Sequence, residues 1–268
     1  MPGQGGGLGD ELLHHARMSP GILLNGFMSE SLPNRRDTIE LVVVSSQPTV
    51  LQLTSGQNRG HSPVMQLFLT SIACNVLDQI AANLEGDPHE LKVAFIPTAS
   101  NLSESKEGTE NDRNKLISLG FQIIDVDIAV TRHENLKQAL GKVDVIFVGG
   151  GNTFYLLQEA HRSGFSEMLG DFVGGGTPYI GSSAGSVRVG TTIEPIKMMD
   201  DPKDAPELTS YDGLNFVGFV PLVHFGNEEF VEEYRTALSD LYSHGPRFIL
   251  VRDNEYLIIQ GDYWRICG

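Results

Sequence analysis

Residues 176–187 read GTPYIGSSAGSV: a short apolar run breaks into glycine, two serines, alanine and glycine before a stretch able to open a helix. Residues 178–182 suit a buried strand, and Gly181-Ser182-Ser183-Ala184-Gly185 then satisfies G-x-S-x-G with Ser183 at its centre. Small neighbours allow a sharp strand-to-helix turn that lifts one hydroxyl above the sheet edge. The first free helix amide, that of Ala184, would point into the same space. Glycine and serine after a strand also make ordinary turns, so Ser183 reads as a nucleophile only if the chain supplies it with a base.

Outward from this stretch, strand-length apolar runs alternate with amphipathic ones. Residues 39–46, IELVVVSS, read as a buried strand. Between 64 and 84, Val64, Leu67, Phe68, Ile72, Val76, Ile80 and Leu84 recur mostly every three or four positions, which predicts one face of a long helix. LKVAFIPTAS (91–100) reads as a strand, 107–119 as a surface helix, FQIIDVDI (121–128) as a strand, HENLKQAL (133–140) as a helix, and 143–151 as a strand ending in glycines. Such alternation needs crossover connections and predicts an α/β fold, a doubly wound, mostly parallel sheet with helices on both faces. Near-continuous apolar strands agree with burial on both sides.

Composition narrows the partners. The chain has 268 residues, 40% hydrophobic and 20% charged, enough for one sizeable core. With 34 acidic against 19 basic residues its formal charge is −15, which repels phosphate backbones and anionic membranes, so neither nucleic acid nor membrane is expected as a partner. Residues 1–38 mix glycine, proline and scattered apolar residues without a sustained period and read as a flexible N-terminal extension, leaving 39–268 as a single α/β domain. The adjacent His14 and His15 belong to that extension and read as solvated. No long apolar run suits a membrane span, and the N-terminus lacks a basic flank before a clean apolar core. The two cysteines, Cys74 and Cys267, form no metal-ligand pattern. A cytosolic, cytoplasmic protein is the expectation.

Sheets of this kind place their chemistry outside the carboxyl ends of the strands. One such end is VGGGNTFYLL, where Gly149, Gly150 and Gly151 lead through Asn152 and Thr153 into a helix. Exposed amides there favour an anion or oxyanion. The run fits neither nucleotide-binding glycine pattern, and a structural glycine turn is the alternative. A serine hydroxyl needs a neighbouring proton acceptor. Of the eight histidines, only His224 follows an apolar run at a strand terminus, in PLVHFGNEEF. The third member of such a constellation, an acid that orients the imidazole, fits Asp253, in the turn after the apolar residues 248–251. Glu194, Asp200 and Asp201 are competing acids.

These blocks together resemble the serine peptidases that include aspartyl dipeptidase (peptidase E) and cyanophycinase, with the dipeptidase branch fitting best. The resemblance rests on IELVVVSS, VAFIPTAS, VIFVGGGNTFYLL, GTPYIGSSAGSV, PLVHF and the strand before Asp253, in family order from about residue 39 to the C-terminus. It implies a class I glutamine amidotransferase-like architecture, though with serine where the amidotransferases carry a cysteine nucleophile. It also implies Ser183 as nucleophile, His224 as base, and Gly151 with the amide of Ala184 as the oxyanion hole. Asp253 stands where the family often has a glutamate. Gly150, Asn152, Thr153, Arg188 and Arg235 are the substrate-binding candidates. The implied reaction is acyl transfer on short peptides without metal or organic cofactor, and a homodimer is compatible with the resemblance. Family dipeptidases carry basic residues after the histidine, whereas this chain has Glu228, Glu229, Glu232 and Glu233, which puts a preference for an N-terminal aspartate in question. A cyanophycinase-like enzyme, another serine hydrolase, or a catalytically silent binding relative are the alternatives.

Overall fold

A computed structural model describes residues 64–241 and 245–268. The expected strand at 39–46 and the expected extension at 1–38 lie outside the described residues. The elements run β1 (Gln66–Thr70), a 3₁₀ turn (Ala73–Asn75), α1 (Leu77–Ala81), β2 (Lys92–Ile96), a second 3₁₀ turn (Thr98–Ser100), α2 (Glu107–Ser118), β3 (Gln122–Asp125), α3 (His133–Leu140) and β4 (Val145–Val148). They continue with α4 (Thr153–Ser163), α5 (Phe165–Gly174), β5 (Tyr179–Ser182), α6 (Ala184–Val187), β6 (Val220–Leu222), α7 (Val231–Leu241), β7 (Phe248–Leu250), β8 (Tyr256–Gln260) and β9 (Tyr263–Cys267).

Seven strands form one sheet in the order β3-β2-β4-β5-β1-β8-β9. The five strands from β3 to β1 are parallel, and β8 and β9 close one side antiparallel. This is the α/β doubly wound fold expected from the alternation. Side chains alternate between two cores, as the period of two requires. Leu67, Leu69, Ala94, Ile96, Ile146 and Val148 pack on one face with residues of α3, α4 and α5. Phe68, Val93, Phe95, Val145 and Phe147 pack on the other with residues of α1 and α2. Burying each such side chain stabilises by about 1.5–3 kcal/mol. Among the described residues, no helix is long and apolar enough to cross a membrane.

One expectation is overturned. The stretch 64–84 is not one long helix: it is β1, the first 3₁₀ turn and the five-residue α1. The run QLFLT lies between β5 and β8 with Leu67, Phe68 and Leu69 fully buried. A central strand covered on both faces needs apolar residues at every position, so its spacing mimics a helical stripe. Val76, Ile80 and Leu84 do share one core, with Phe68, but from beyond the strand.

A second difference concerns β6 and β7. They pair in parallel with each other as a separate two-stranded sheet, packed onto α4, α6 and α7 through Phe154, Leu157, Val187, Val220, Leu222, Tyr234 and Phe248.

Close packing at the β5–α6 turn leaves no room for a side chain at Gly181, where an added Cβ would stand 2.7 Å from Gly185 C and Ser186 N. At Gly185 an added Cβ would run into the Val148 carbonyl of β4. Gly185→Ala is therefore expected to cost about 1–3 kcal/mol and to lower the melting temperature by roughly 2–4 °C for each. Gly170→Ala, in α5 where an added Cβ meets nothing within 4 Å, is the control and should leave the melt unchanged or raised.

Candidate active site

Ser183 sits between β5 and α6 with φ 49° and ψ −111°, a conformation that a non-glycine residue holds only when its surroundings impose it. Those surroundings come from the end of β1. Ser183 N–H donates to Thr70 O at 3.0 Å. Ser186 Oγ accepts Thr70 N–H at 2.8 Å and lies 2.7 Å from Thr70 O and 2.8 Å from Gly181 O. The turn is thus tied to the neighbouring strand on both sides of Ser183, and its hydroxyl is aimed outward.

His224 follows β6, and Asp253 follows β7. Their parallel pairing, extended by Val251 N–H to Leu222 O at 2.9 Å and Phe225 N–H to Val251 O at 3.0 Å, brings both strand ends to one place. His224 Nε2 lies 3.0 Å from Ser183 Oγ, and His224 Nδ1 lies 2.8 Å from Asp253 Oδ1. A carboxylate accepts from Nδ1–H, which leaves Nε2 as the acceptor for the serine hydroxyl. The two side chains are 16% and 27% exposed, so the pair is screened from bulk water yet reachable. The other Asp253 oxygen accepts from Asn227 Nδ2 at 2.9 Å. The Phe230 ring lies 5.2 Å from the imidazole, centroid to centroid.

His224 also has a positive φ, of 65°. Its N–H donates to Ser71 Oγ at 2.9 Å, and the Ser71 hydroxyl donates to Val251 O at 2.8 Å. Asn75 Nδ2 donates to Asp253 O at 2.9 Å. Ser71, Asn75 and Asn227 went unnoticed in the sequence. The polar end of an apolar run was a usable signal at Ser71, had residues 66–70 been read as a strand.

On the other side of Ser183 lies the glycine loop 149–151. A Cβ added at Gly150 would stand 3.0 Å from Ser183 Cβ and 3.7 Å from Ser183 Oγ. Gly151 has φ 134°, and an added Cβ there would run into the backbone of Ala99 and Ser100. None of the hydrogen bonds among the described residues uses the amide of Gly150, Gly151 or Ala184, which leaves unspent donors around the hydroxyl.

The remaining predicted substrate contacts are engaged elsewhere. Asn152 caps α4 by accepting Tyr155 N–H at 2.9 Å and donates to Asp201 O at 3.1 Å and Asp204 Oδ2 at 2.9 Å. Thr153 is buried, with its N–H on Asp200 Oδ2 at 2.8 Å. Both tie down the segment after α6. Burial pushes the Asp200 carboxyl up from its ordinary value, although the Thr153 bonds pull the other way. Arg188 corrects an expectation: it is fully buried, 5.1 Å from the Phe165 ring centroid with Nη2 3.4 Å from Ser166 Oγ. One residue beyond α6, it turns inward against α5 and has no route to a substrate. Arg235, on the exposed side of α7, pairs with Glu232 at 2.9 Å. Of the competing acids, Glu194 pairs with Lys197 at 2.9 Å and Asp201 accepts Lys203 N–H at 2.9 Å, while Asp253 alone meets the imidazole. Among the described residues, no group of three or more His, Cys, Asp or Glu is placed to hold a metal ion.

Comparison with known proteins places the chain in a family. An uncharacterized peptidase of Listeria innocua is 37% identical over 201 residues, 71% of this chain and 94% of the relative. A peptidase E of Nostoc is 31% identical over 58% of this chain and 65% of its own length. The crystal structure of a candidate peptidase E from Listeria monocytogenes superposes with a TM-score of 0.72 at 33% identity, covering 76% of this chain and 98% of that one. Residues 68–267 match the model of peptidase family S51, and with three quarters of the sequence inside that match the chain belongs to this family and is a peptidase.

Proposed function

We propose that the protein is a serine-type dipeptidase that hydrolyses short peptides through an acyl-enzyme on Ser183. The observation that carries this reading is the pair of short contacts at His224, 3.0 Å to Ser183 Oγ and 2.8 Å to Asp253 Oδ1. Ser183 Oγ attacks the peptide carbonyl carbon while its proton passes to His224 Nε2. Asp253 holds Nδ1–H and stabilises the imidazolium. The amides of Gly151 and Ala184 receive the oxyanion, each donor worth on the order of 3 kcal/mol in the transition state. The C–N bond then breaks, and His224 returns its proton to the leaving amine. Water adds to the acyl carbon with His224 again taking a proton, and collapse releases the acid and restores the Ser183 hydroxyl.

Restriction to short peptides rests on the resemblance to the dipeptidase branch, and the relatives named peptidase E support a peptidase. Preference for an N-terminal aspartate finds little support in the charges. Arg188 is buried and Arg235 is paired, while the carboxyls of Asp200 and Asp204 stand beside the glycine loop, bonded to Thr153 and Asn152. A substrate carboxylate in that field lacks a partner.

Across Asp-Leu, Glu-Leu, Leu-Leu and a β-aspartyl dipeptide, Leu-Leu is expected to show a higher kcat/KM than Asp-Leu. Steady-state hydrolysis of the four peptides decides this, and a clear preference for Asp-Leu overturns it. Ser183→Ala should lower kcat by about 10⁴-fold or more and abolish labelling by a serine-directed phosphonate, with the melt unchanged. Asp253→Asn, which disturbs the tautomer while keeping the shape, should cost about 10³- to 10⁴-fold. Asn227→Ala frees one carboxylate oxygen of Asp253, and loss of a hydrogen bond to a charged group, worth about 1.5–3 kcal/mol, should reduce kcat on the order of tenfold.

A further inference from the structure

The end of β1 and the turn after it bond to Ser183, His224 and Asp253, and one buried acid outside the site holds that turn. Residues 70–75 supply the Thr70 carbonyl to Ser183 N–H, the Ser71 hydroxyl to His224 N–H and the Asn75 amide to Asp253 O. From the same turn, Ala73 N–H donates to Ser182 Oγ at 3.3 Å, next to the nucleophile. Asp112, in the middle of α2 and 3% exposed, accepts Cys74 N–H at 2.8 Å and faces the Ser182 hydroxyl. Adjacent amides of the turn are thus held from two sides, Cys74 N–H by Asp112 and Ala73 N–H by Ser182 Oγ, with the Ser182 hydroxyl beside the Asp112 carboxyl. An ionised carboxyl is acceptor only, which suits the Cys74 N–H and the hydroxyl beside it.

We propose that Asp112, as a carboxylate, is a positioning residue of the peptidase site, locking residues 70–75 to Ser182 and thereby fixing the mutual geometry of Ser183, His224 and Asp253. The proposal rests on the serine mechanism proposed above. A merely structural cap for the 3₁₀ turn needs no charge, since asparagine or serine would accept Cys74 N–H equally well. A charge here is costly. Burial pushes the Asp112 carboxyl up to about 6 against the pull of its hydrogen bonds. The groups facing it are the Cys74 amide and thiol from the turn and the Ser182 hydroxyl from β5. Lys115, one turn on in α2, is paired with Asp78 of α1 at 2.6 Å. Retaining a desolvated carboxyl, without an ion-pair partner among the described residues, beside the residue that precedes the nucleophile is the pattern of a group kept for function at the expense of stability.

The sign of the pH effect follows. Because the folded-state pKa is raised, the folded protein binds this proton more tightly than the unfolded chain. Stability is gained as pH falls through about 6, and at pH 8 the wild type carries the full cost of the buried charge. Asp112→Asn keeps the shape and removes the charge, but it turns an amide N–H₂ towards either Ser182 or Cys74.

The test compares wild type, Asp112→Asn, Ser182→Ala and the double variant in kcat, KM, melting temperature and pH profile. Asp112→Asn should melt higher than wild type at pH 8, the gap closing below pH 6, while kcat falls about 10- to 100-fold with KM nearly unchanged. The wild-type kcat profile should carry a step near pH 6 that the variant lacks, since any step from the general base persists in both. Ser182→Ala should lower kcat similarly, and the double variant no further, because both release the same turn. Unchanged kcat in Asp112→Asn, or additive losses in the double variant, overturns the proposal. Should Asp112→Asn fail to fold, it is overturned too, because a purely structural role then accounts for the residue. Phosphonate labelling of wild-type Ser183 keeps the two readings apart. If wild type resists the probe, the serine mechanism has failed; if it labels but Asp112→Asn labels equally fast, only the role of Asp112 has.

Discussion

The backbone of Thr70 holds the nucleophile turn in place. Its carbonyl takes Ser183 N–H and its own N–H goes to Ser186 Oγ, so the last residue of a central strand clamps both arms of a turn whose middle residue has φ 49°. A strained conformation of this kind costs of order 1–3 kcal/mol and relaxes unless it is over-determined. Here the determination is threefold: the strand pairing of β1 with β5, the Ser186 hydroxyl, and the contact of Gly185 with the Val148 carbonyl. The first two do not tolerate displacement of β1, which is buried on both faces, and the third ties the turn to β4. The apolar core thus acts on the Ser183 turn through backbone position.

Two of the three side chains of the proposed triad, His224 and Asp253, follow a strand pair outside the main sheet. This places them on a smaller body that must be registered against Ser183 by its own contacts. Packing supplies part of the registration, through Val187 of α6, Phe154 and Leu157 of α4, and Tyr234, whose hydroxyl donates to Val223 O. Polar links from residues 71 and 75 supply the rest. Apolar packing is non-directional, whereas the hydrogen bonds of Ser71 and Asn75 fix the backbone at His224 and Asp253.

How far this was legible in the sequence depended on the range of each interaction. Ser183, His224 and Asp253 could be picked out because each follows an apolar run and is of a chemically suitable type. The fold class was legible for the same local reason, alternating periods. The strand at 66–70 was misread because a run covered on both faces has no distinguishing period. Arg188 was misread because sequence shows a charge but not its direction; only the packing of α6 against α5 turns it inward. Ser71, Asn75 and Asn227 act on partners 180, 178 and 26 residues away. No local pattern marks them.

The site therefore concentrates unfavourable local choices in a small volume. Ser183 and His224 both hold positive φ values, and Asp112 is a desolvated carboxylate behind Ser182. Each lowers stability, and each would relax if its neighbours could move. What prevents this is the pair of apolar layers on the two faces of a sheet whose five parallel strands end at the same edge. Strand ends are where backbone amides and carbonyls leave the ladder and become free to bond side chains. Rigid strands deliver those free groups at fixed positions, so a turn such as 70–75 can meet three chain segments at once. A loop joining two surface helices has no such support, and the same residues placed there would reach the same geometry only transiently.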